Sequence, residues 1–131
     1  MIITSLYAAL LGLLFVGLSV RTLRLRRRLR IAVGDAGNAE MLRAMRVHSN
    51  FAEYVPLALL LIYLGEAQGA HRMLVHALGL ALLVGRSVHA YGLSQAREDY
   101  RYRVTGMALT FTVIVTASAA LLLALARQSA A

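Results

Sequence analysis

The chain has 131 residues, of which 60% are hydrophobic, with a mean hydropathy of +0.67 and a formal net charge of +8. A composition this apolar excludes an ordinary soluble domain, and the lack of cysteine excludes disulfides and cysteine-ligated metals. The apolar residues fall in four stretches with little or no charge, each close to the roughly 20 residues that a transmembrane helix needs. We therefore predict an all-α fold, an integral membrane four-helix bundle that forms a single domain over residues 1–131.

The predicted spans cover residues 2–28, 39–65, 71–94 and 103–127. The first span has no basic residues before its apolar run, so it is interpreted as a retained helix and not as a signal peptide. Residues 34–38 give the clearest loop signal in the first half, and Asn38 or Asp35 can cap the second helix.

Twelve of the fourteen arginines lie in two regions, from Arg21 to Arg46 and from Arg86 to Arg103, which contain the connection between spans one and two and the connection between spans three and four. Both connections lie on the same side of a four-span bundle. The positive-inside rule therefore places them in the cytoplasm and both termini on the outer, periplasmic side. Because this topology and contact with lipid headgroups account for the charge, and no recognition fold accompanies it, we expect membrane lipid and not nucleic acid as a partner.

The second predicted helix carries a polar face made of Arg43, Arg46, Asn50 and Glu53, with Tyr54 beside it. At about 100° per residue the four polar groups fall within an arc of roughly 80°. Arginine pairs with carboxylates, glutamate pairs with an ammonium group, and asparagine supplies both a donor and an acceptor. This combination suits a zwitterionic peptide better than a metal or a phosphate. The simpler interpretation is that Arg43 or Arg46 only pairs with Glu53 inside the bundle.

Two further candidates lie on the later helices. His89 follows Arg86 by about one turn of the third helix, and Arg103 opens the fourth span. Each has a simpler interpretation as well, because His89 can be a packed, hydrogen-bonded histidine and Arg103 can be a topological anchor.

The stretch from Arg43 to Pro56 resembles the signature of the MAPEG family (membrane-associated proteins in eicosanoid and glutathione metabolism). The family pattern is an arginine, an asparagine four residues later, a glutamate three after that, then an aromatic residue and a proline. Its positions here are Arg46, Asn50, Glu53, Tyr54 and Pro56. Residues 85–94 and 103–107 resemble the third and fourth helix motifs of the bacterial branch of that family, so the resemblance covers nearly the whole chain.

The resemblance implies a homotrimer in a bacterial inner membrane, with glutathione as co-substrate bound between neighbouring protomers at the cytoplasmic side. The resemblance and the polar face of the second helix together indicate which residues are expected to bind glutathione. These are Arg43, Arg46, Asn50, Glu53, Tyr54, His89 and Tyr91. The expected catalytic residues are Arg103, which stabilises the thiolate in the family, and Arg27, the best match to a family arginine on helix one. A second tyrosine expected one turn after His89 is Leu93 here, and Tyr91 is the residue that could replace it.

The expected function is that of a glutathione-dependent transferase or peroxidase, without a metal, that acts on hydrophobic electrophiles dissolved in the bilayer. The first alternative is a non-catalytic lipid-binding or scaffolding trimer of the same family. The second is a small proton-coupled exporter, which the arginine asymmetry disfavours because such a protein would need an inverted or dual topology.

Overall fold

The computed structural model describes residues 2–95 and 99–129. They form four helices, which are α1 (Ile3–Leu29), α2 (Ala39–Ala67), α3 (Arg72–Ser94) and α4 (Tyr100–Ser129). Each helix is long and apolar enough to cross a membrane, so the predicted all-α architecture with four spans is confirmed. The helix ends lie within three residues of the predicted span boundaries. Residues 96–98 of the second arginine-rich connection lie outside the described residues.

The helices pack around a shared apolar core. Helices α1 and α4 each contact α2 and α3, whereas α1 and α4 do not contact each other in the described part of the chain. The most deeply buried core side chains include Leu11, Val47, Leu82 and Val113. Much of the outer surface is also apolar, as expected for helices that are solvated by lipid.

The predicted loop between α1 and α2 is present and is built on glycine. Gly34 and Gly37 have φ angles of 67° and 73°, a left-handed conformation that glycine adopts without steric cost. Asn38 then caps α2, because its side-chain oxygen accepts a hydrogen bond from the backbone N of Met41 at 2.9 Å. Of the two predicted capping residues, Asn38 is therefore the one that is used.

The first turn of α1 lies at the end of the bundle away from most of the arginines, and hydrogen bonds to Glu66 of α2 hold it there. The Glu66 carboxylate accepts hydrogen bonds from the backbone N of Thr4 at 2.9 Å and from its Oγ1 at 2.6 Å. The Tyr7 ring lies directly over Gly79, where an added Cβ would be 2.2 Å from Tyr7 Cδ2. The Tyr7 hydroxyl also bonds His76 Nδ1 at 3.1 Å. These contacts hold α1 against α2 and α3.

Helices α3 and α4 cross closely at two glycines. A Cβ added to Gly106 would lie 2.6 Å from the carbonyl oxygen of Gly85 and 2.6 Å from the Cβ of His89. Only hydrogen at these positions allows the two backbones to approach so closely. The crossing places His89 directly against the first half of α4.

Candidate functional site

A polar cavity of about 370 Å³ lies between α2, α3 and α4, at the end of the bundle that carries the arginine-rich connections. It is lined by Arg46, Ser49, Asn50, Glu53, His89, Leu93 and Arg103. The structure therefore brings together five of the predicted site residues from three different helices. Ser49 was not predicted, although its position between Arg46 and Asn50 on α2 placed it near the polar face.

Helix α2 supplies the largest polar part of the cavity wall, through Arg46, Asn50 and Glu53. Their spacing of four and three residues stacks the side chains on one helix face. Arg46 and Glu53 are exposed and Asn50 is half-buried. In the described residues no ion pair joins Glu53 to Arg43 or Arg46, so the simpler pairing interpretation does not describe this protomer.

Arg43 and Tyr54 do not line the cavity, although both were predicted to belong to the site. Arg43 is half-buried, and its Nε is buried without a hydrogen-bond partner among the described residues. Tyr54 packs edge-on against Phe111 of α4, with 5.5 Å between the ring centroids. Tyr54 therefore belongs to the packing between α2 and α4 and is not part of the cavity wall.

The structure distinguishes Leu93 from Tyr91 as the residue that faces the cavity. Leu93 is buried and lines the cavity wall, whereas Tyr91 is 58% exposed. The Tyr91 ring meets the Tyr102 ring edge-on at 5.5 Å between centroids. Tyr91 therefore does not replace, within this protomer, the tyrosine that the resemblance places at Leu93.

His89 and Arg103 form the opposite wall of the cavity. His89 is only 4% exposed, and Arg103 is half-buried near the start of α4. The guanidinium carbon of Arg103 lies 5.5 Å from the centroid of the Tyr100 ring, within the range of a cation–π contact. Tyr100 therefore helps to orient the Arg103 side chain beside the cavity.

Arg86, which was not predicted as part of the site, lies behind the cavity wall and contacts one of its residues. It is 1% exposed, and its Nη1 donates a hydrogen bond to Asn50 Oδ1 at 2.7 Å. Its Nη2 lies 3.5 Å from the Gly106 carbonyl oxygen and 3.4 Å from Met107 Sδ. The sequence did carry a signal, because Arg86 is the one charge in the third apolar stretch and an ionisable residue there is a default functional candidate.

The run Arg26–Arg28 contains the predicted helix-one arginine, and the structure separates its three members. Arg26 donates to the Gly34 carbonyl oxygen at 3.0 Å, and Arg28 pairs with Glu40 at 2.6 Å. Arg27 is exposed, does not line the cavity of its own protomer, and its side chain makes no hydrogen bond or ion pair within the described residues. Of the three side chains, Arg27 is therefore the one available to a group outside the protomer.

A larger groove of about 690 Å³ lies between α1 and α2 and shares Arg46 and Ser49 with the polar cavity. Apart from the shared Arg46, its charged residues Arg26 and Asp35 both bond the backbone of the loop between the two helices. By contrast, Glu53 in the polar cavity has no such structural partner in the described part of the chain. The polar cavity is therefore the stronger candidate for a ligand site.

The charges of the polar cavity define the ligand that it suits. Arg46 and Arg103 line it, Arg86 lies behind Asn50, and Glu53 is the acidic side chain among the described residues of the wall. A ligand with several anionic groups and one cationic group would complement this set. Within residues 2–95 and 99–129, no group of three or more His, Asp or Glu side chains could hold a metal ion.

Comparison with known proteins agrees with the motif and the fold. The family model described as "MAPEG family" matches residues 4–123. Two relatives, both named "Inner membrane protein YecN", come from Escherichia coli strain K12 and Escherichia coli O6:H1 strain CFT073. Each is 38% identical over 113 residues, which cover 86% of this chain and 85% of the relative. The resemblance seen in the sequence is thereby confirmed, and this integral membrane chain belongs to the MAPEG family.

Proposed function

We propose that the protein is a glutathione-dependent transferase or peroxidase of the bacterial inner membrane that acts on hydrophobic electrophiles. MAPEG is a membrane family whose members include glutathione transferases and peroxidases. The relatives from Escherichia coli are named as inner membrane proteins, which supports the same location for this chain.

The observation that carries the proposal is the composition of the polar cavity. Glutathione has two carboxylates, one ammonium group and one thiol. Arg46 and Asn50 can bind its carboxylates and peptide carbonyls, and Glu53 can bind its ammonium group. The cavity volume of about 370 Å³ also falls within the range of small-molecule sites.

Arg103 is the residue we assign to the chemistry. A cation beside a thiol lowers the thiol pKa and so raises the fraction of reactive thiolate at neutral pH.

In a transfer reaction the thiolate sulfur attacks an electrophilic carbon, a sulfur–carbon bond forms, and the leaving group departs with its electron pair. In a peroxidase reaction the thiolate attacks one peroxide oxygen and the oxygen–oxygen bond breaks. The alkoxide then takes a proton, and a second glutathione converts the sulfenic acid to the disulfide and water.

We further propose that the working unit is a homotrimer with both termini on the periplasmic side. The arginine-rich connections and the polar cavity then lie at the cytoplasmic end, where glutathione is available. Arg27 does not reach the cavity of its own protomer, so its proposed role requires that it face the cavity of a neighbour.

The test is a glutathione titration of the detergent-purified protein, followed by ultraviolet absorbance of bound thiolate. Wild type should show the thiolate band, and Arg103→Gln should bind glutathione without it. Arg101→Gln is the matched control, because Arg101 is exposed on the same helix and does not line the cavity. Absence of the band in wild type would contradict the enzyme proposal.

One observation favours the non-catalytic alternative, a lipid-binding or scaffolding membrane trimer. Leu93 faces the cavity where the family resemblance places a tyrosine, so one hydroxyl group is missing from the site. If wild type binds no glutathione, or binds it without forming thiolate, this alternative becomes the better account of the family membership.

A further inference from the structure

Arg86 is a buried cation in the spanning helix α3, beside the polar cavity. At 1% exposure its guanidinium is almost fully removed from solvent, and no ion pair neutralises it within residues 2–95 and 99–129. Its Nε is buried without a hydrogen-bond partner in the same residues. Burial of a charge is costly unless hydrogen bonds compensate it, so the contacts that Arg86 does make are important to its placement.

The strongest of those contacts fixes the orientation of a cavity residue. Arg86 Nη1 lies 2.7 Å from Asn50, and a guanidinium group can only donate hydrogen bonds. The Asn50 atom that faces Arg86 must therefore be the carbonyl oxygen Oδ1, which leaves the Nδ2 group for the cavity. Within the described residues, Asn50 Nδ2 itself donates no hydrogen bond.

We propose that Arg86 is a positioning residue that locks the Asn50 amide so that Asn50 presents only hydrogen-bond donors to the ligand. The proposal deepens the function proposed above and rests on it for the identity of the ligand. The group bound at Asn50 must then be an acceptor, such as a carboxylate or a peptide carbonyl oxygen. A free asparagine could turn to offer either a donor or an acceptor, so Arg86 determines which chemistry the site selects.

The surroundings of Arg86 explain why it can hold this orientation. The same guanidinium lies 3.5 Å from the Gly106 carbonyl oxygen and 3.4 Å from Met107 Sδ, both on α4. Arg86 thus connects α3 to α2 and α4 at the glycine crossing that brings His89 to the cavity. With contacts on two other helices, its rotation is restricted, and Asn50 is restricted with it.

The orientation can be tested without any ligand, through thermal unfolding in detergent. Asn50→Asp keeps an oxygen for Arg86 and adds a negative charge, so its Tm should equal or exceed that of wild type. Asn50→Leu leaves Arg86 Nη1 without its acceptor and should lower the Tm. In the Arg86→Gln background, most of the Tm difference between Asn50→Asp and Asn50→Leu should disappear. In the Arg86→Lys background, part of that difference should remain. Arg72→Gln, an exposed position on the same helix, is the matched control and should leave the difference unchanged.

The donor assignment is tested by glutathione binding to the same variants. Asn50→Asp should raise the Kd by roughly tenfold or more, because an acceptor oxygen replaces the donor that faces the ligand. Arg86→Gln should also raise the Kd in the wild-type background but should have little further effect once Asn50→Leu is present. A purely structural role for Arg86 would raise the Kd by the same factor in both backgrounds.

The two proposals fail in distinguishable ways. If wild type binds no glutathione, the proposed function is wrong, while the unfolding temperatures still decide the orientation of Asn50. If Asn50→Asp unfolds at a lower temperature than Asn50→Leu, or if the difference between them persists in Arg86→Gln, Arg86 does not lock the amide. Should Arg86→Gln fail to fold, the comparison of Asn50→Asp with Asn50→Leu in the wild-type background decides alone.

Discussion

Glu53 contributes an acidic side chain to the wall of the polar cavity, and it is exposed. Within the described residues it accepts no hydrogen bond and forms no ion pair. A carboxylate without a structural partner contributes little to folding stability, so its removal should affect ligand binding and leave the fold nearly unchanged.

We expect Glu53→Gln to raise the Kd for glutathione by roughly tenfold, because a charge-assisted hydrogen bond to the ammonium group is lost. The Tm in detergent should change little. Glu40→Gln is the matched control, since Glu40 lies on the same helix as Glu53 and its substitution removes only a surface ion pair with Arg28 of α1. Glutathione with an acetylated amino group should bind wild type and Glu53→Gln equally weakly. A Kd unaffected by Glu53→Gln would mean that the ammonium group is bound elsewhere.

For single residues, the sequence predicts which side chains lie together when they belong to the same helix. Arg46, Asn50 and Glu53 share a face of α2 by their spacing alone, and all three line the cavity. The sequence could not decide between Tyr91 and Leu93, because the packing of α3 against α4 determines which side of α3 faces the cavity. The partnership of Arg86 with Asn50 likewise joins two helices, so no local pattern could predict it.

The crossing of α3 and α4 is the element-scale feature on which the site depends. Gly85 and Gly106 allow close approach, and the crossing brings His89 of α3 and Arg103 of α4 to the same cavity. The site would therefore change if the two helices were pushed apart, even without a change to any residue that lines it.

We expect Gly106→Ala to be destabilising by about 1–3 kcal/mol and to weaken glutathione binding, because the new Cβ overlaps backbone atoms of α3 that cannot easily move. Gly12→Ala is the matched control, since nothing lies within 4 Å of a Cβ at that position on α1. That control should be neutral or stabilising by about 0.5–1 kcal/mol. Thermal unfolding and glutathione titration in detergent measure both effects. Equal stability of the two variants would mean that the α3–α4 crossing can relax at no cost.

The helices themselves were predictable because their apolar runs are long and the arginines and glycines interrupt them clearly. The predicted first span already included the arginine-rich end of α1, which ends at Leu29, whereas α4 begins at Tyr100, three residues before the predicted start at residue 103. Hydropathy marks the part of a helix that lies in lipid, whereas hydrogen bonding continues the helix into the polar interface. The predicted and observed helix ends therefore differ in the polar interface, where hydropathy no longer marks the helix.

At the scale of the whole molecule, a single protomer leaves much apolar surface exposed, and the Arg27 side chain has no partner among residues 2–95 and 99–129. Val115 and Leu122 on α4 are each 67% exposed, and either lipid or a neighbouring protomer could cover them. Arg27 is exposed at the arginine-rich end, where the polar cavity also lies. A closed ring of protomers could place the Arg27 of one beside the cavity of the next.

Mixed oligomers test this arrangement. Arg27→Gln and Arg103→Gln should each abolish or strongly reduce turnover when expressed alone. In a site built from two protomers, an Arg27→Gln protomer supplies an intact Arg103, and its Arg103→Gln neighbour supplies an intact Arg27. With equal and random mixing, half of the protomers carry an intact Arg103 and half of their neighbours an intact Arg27. About one quarter of the sites should then regain wild-type composition.

The recovery separates a shared site from a site within one chain. If Arg27 served the cavity of its own protomer, every site in a mixed oligomer would still carry one of the two substitutions, and co-expression would restore no turnover. Mixing the two purified variants after assembly is the control, because protomers that do not exchange should give none of the recovery. Full activity of Arg27→Gln alone would instead remove Arg27 from the catalytic site, and Arg103 would then act without an arginine from helix one.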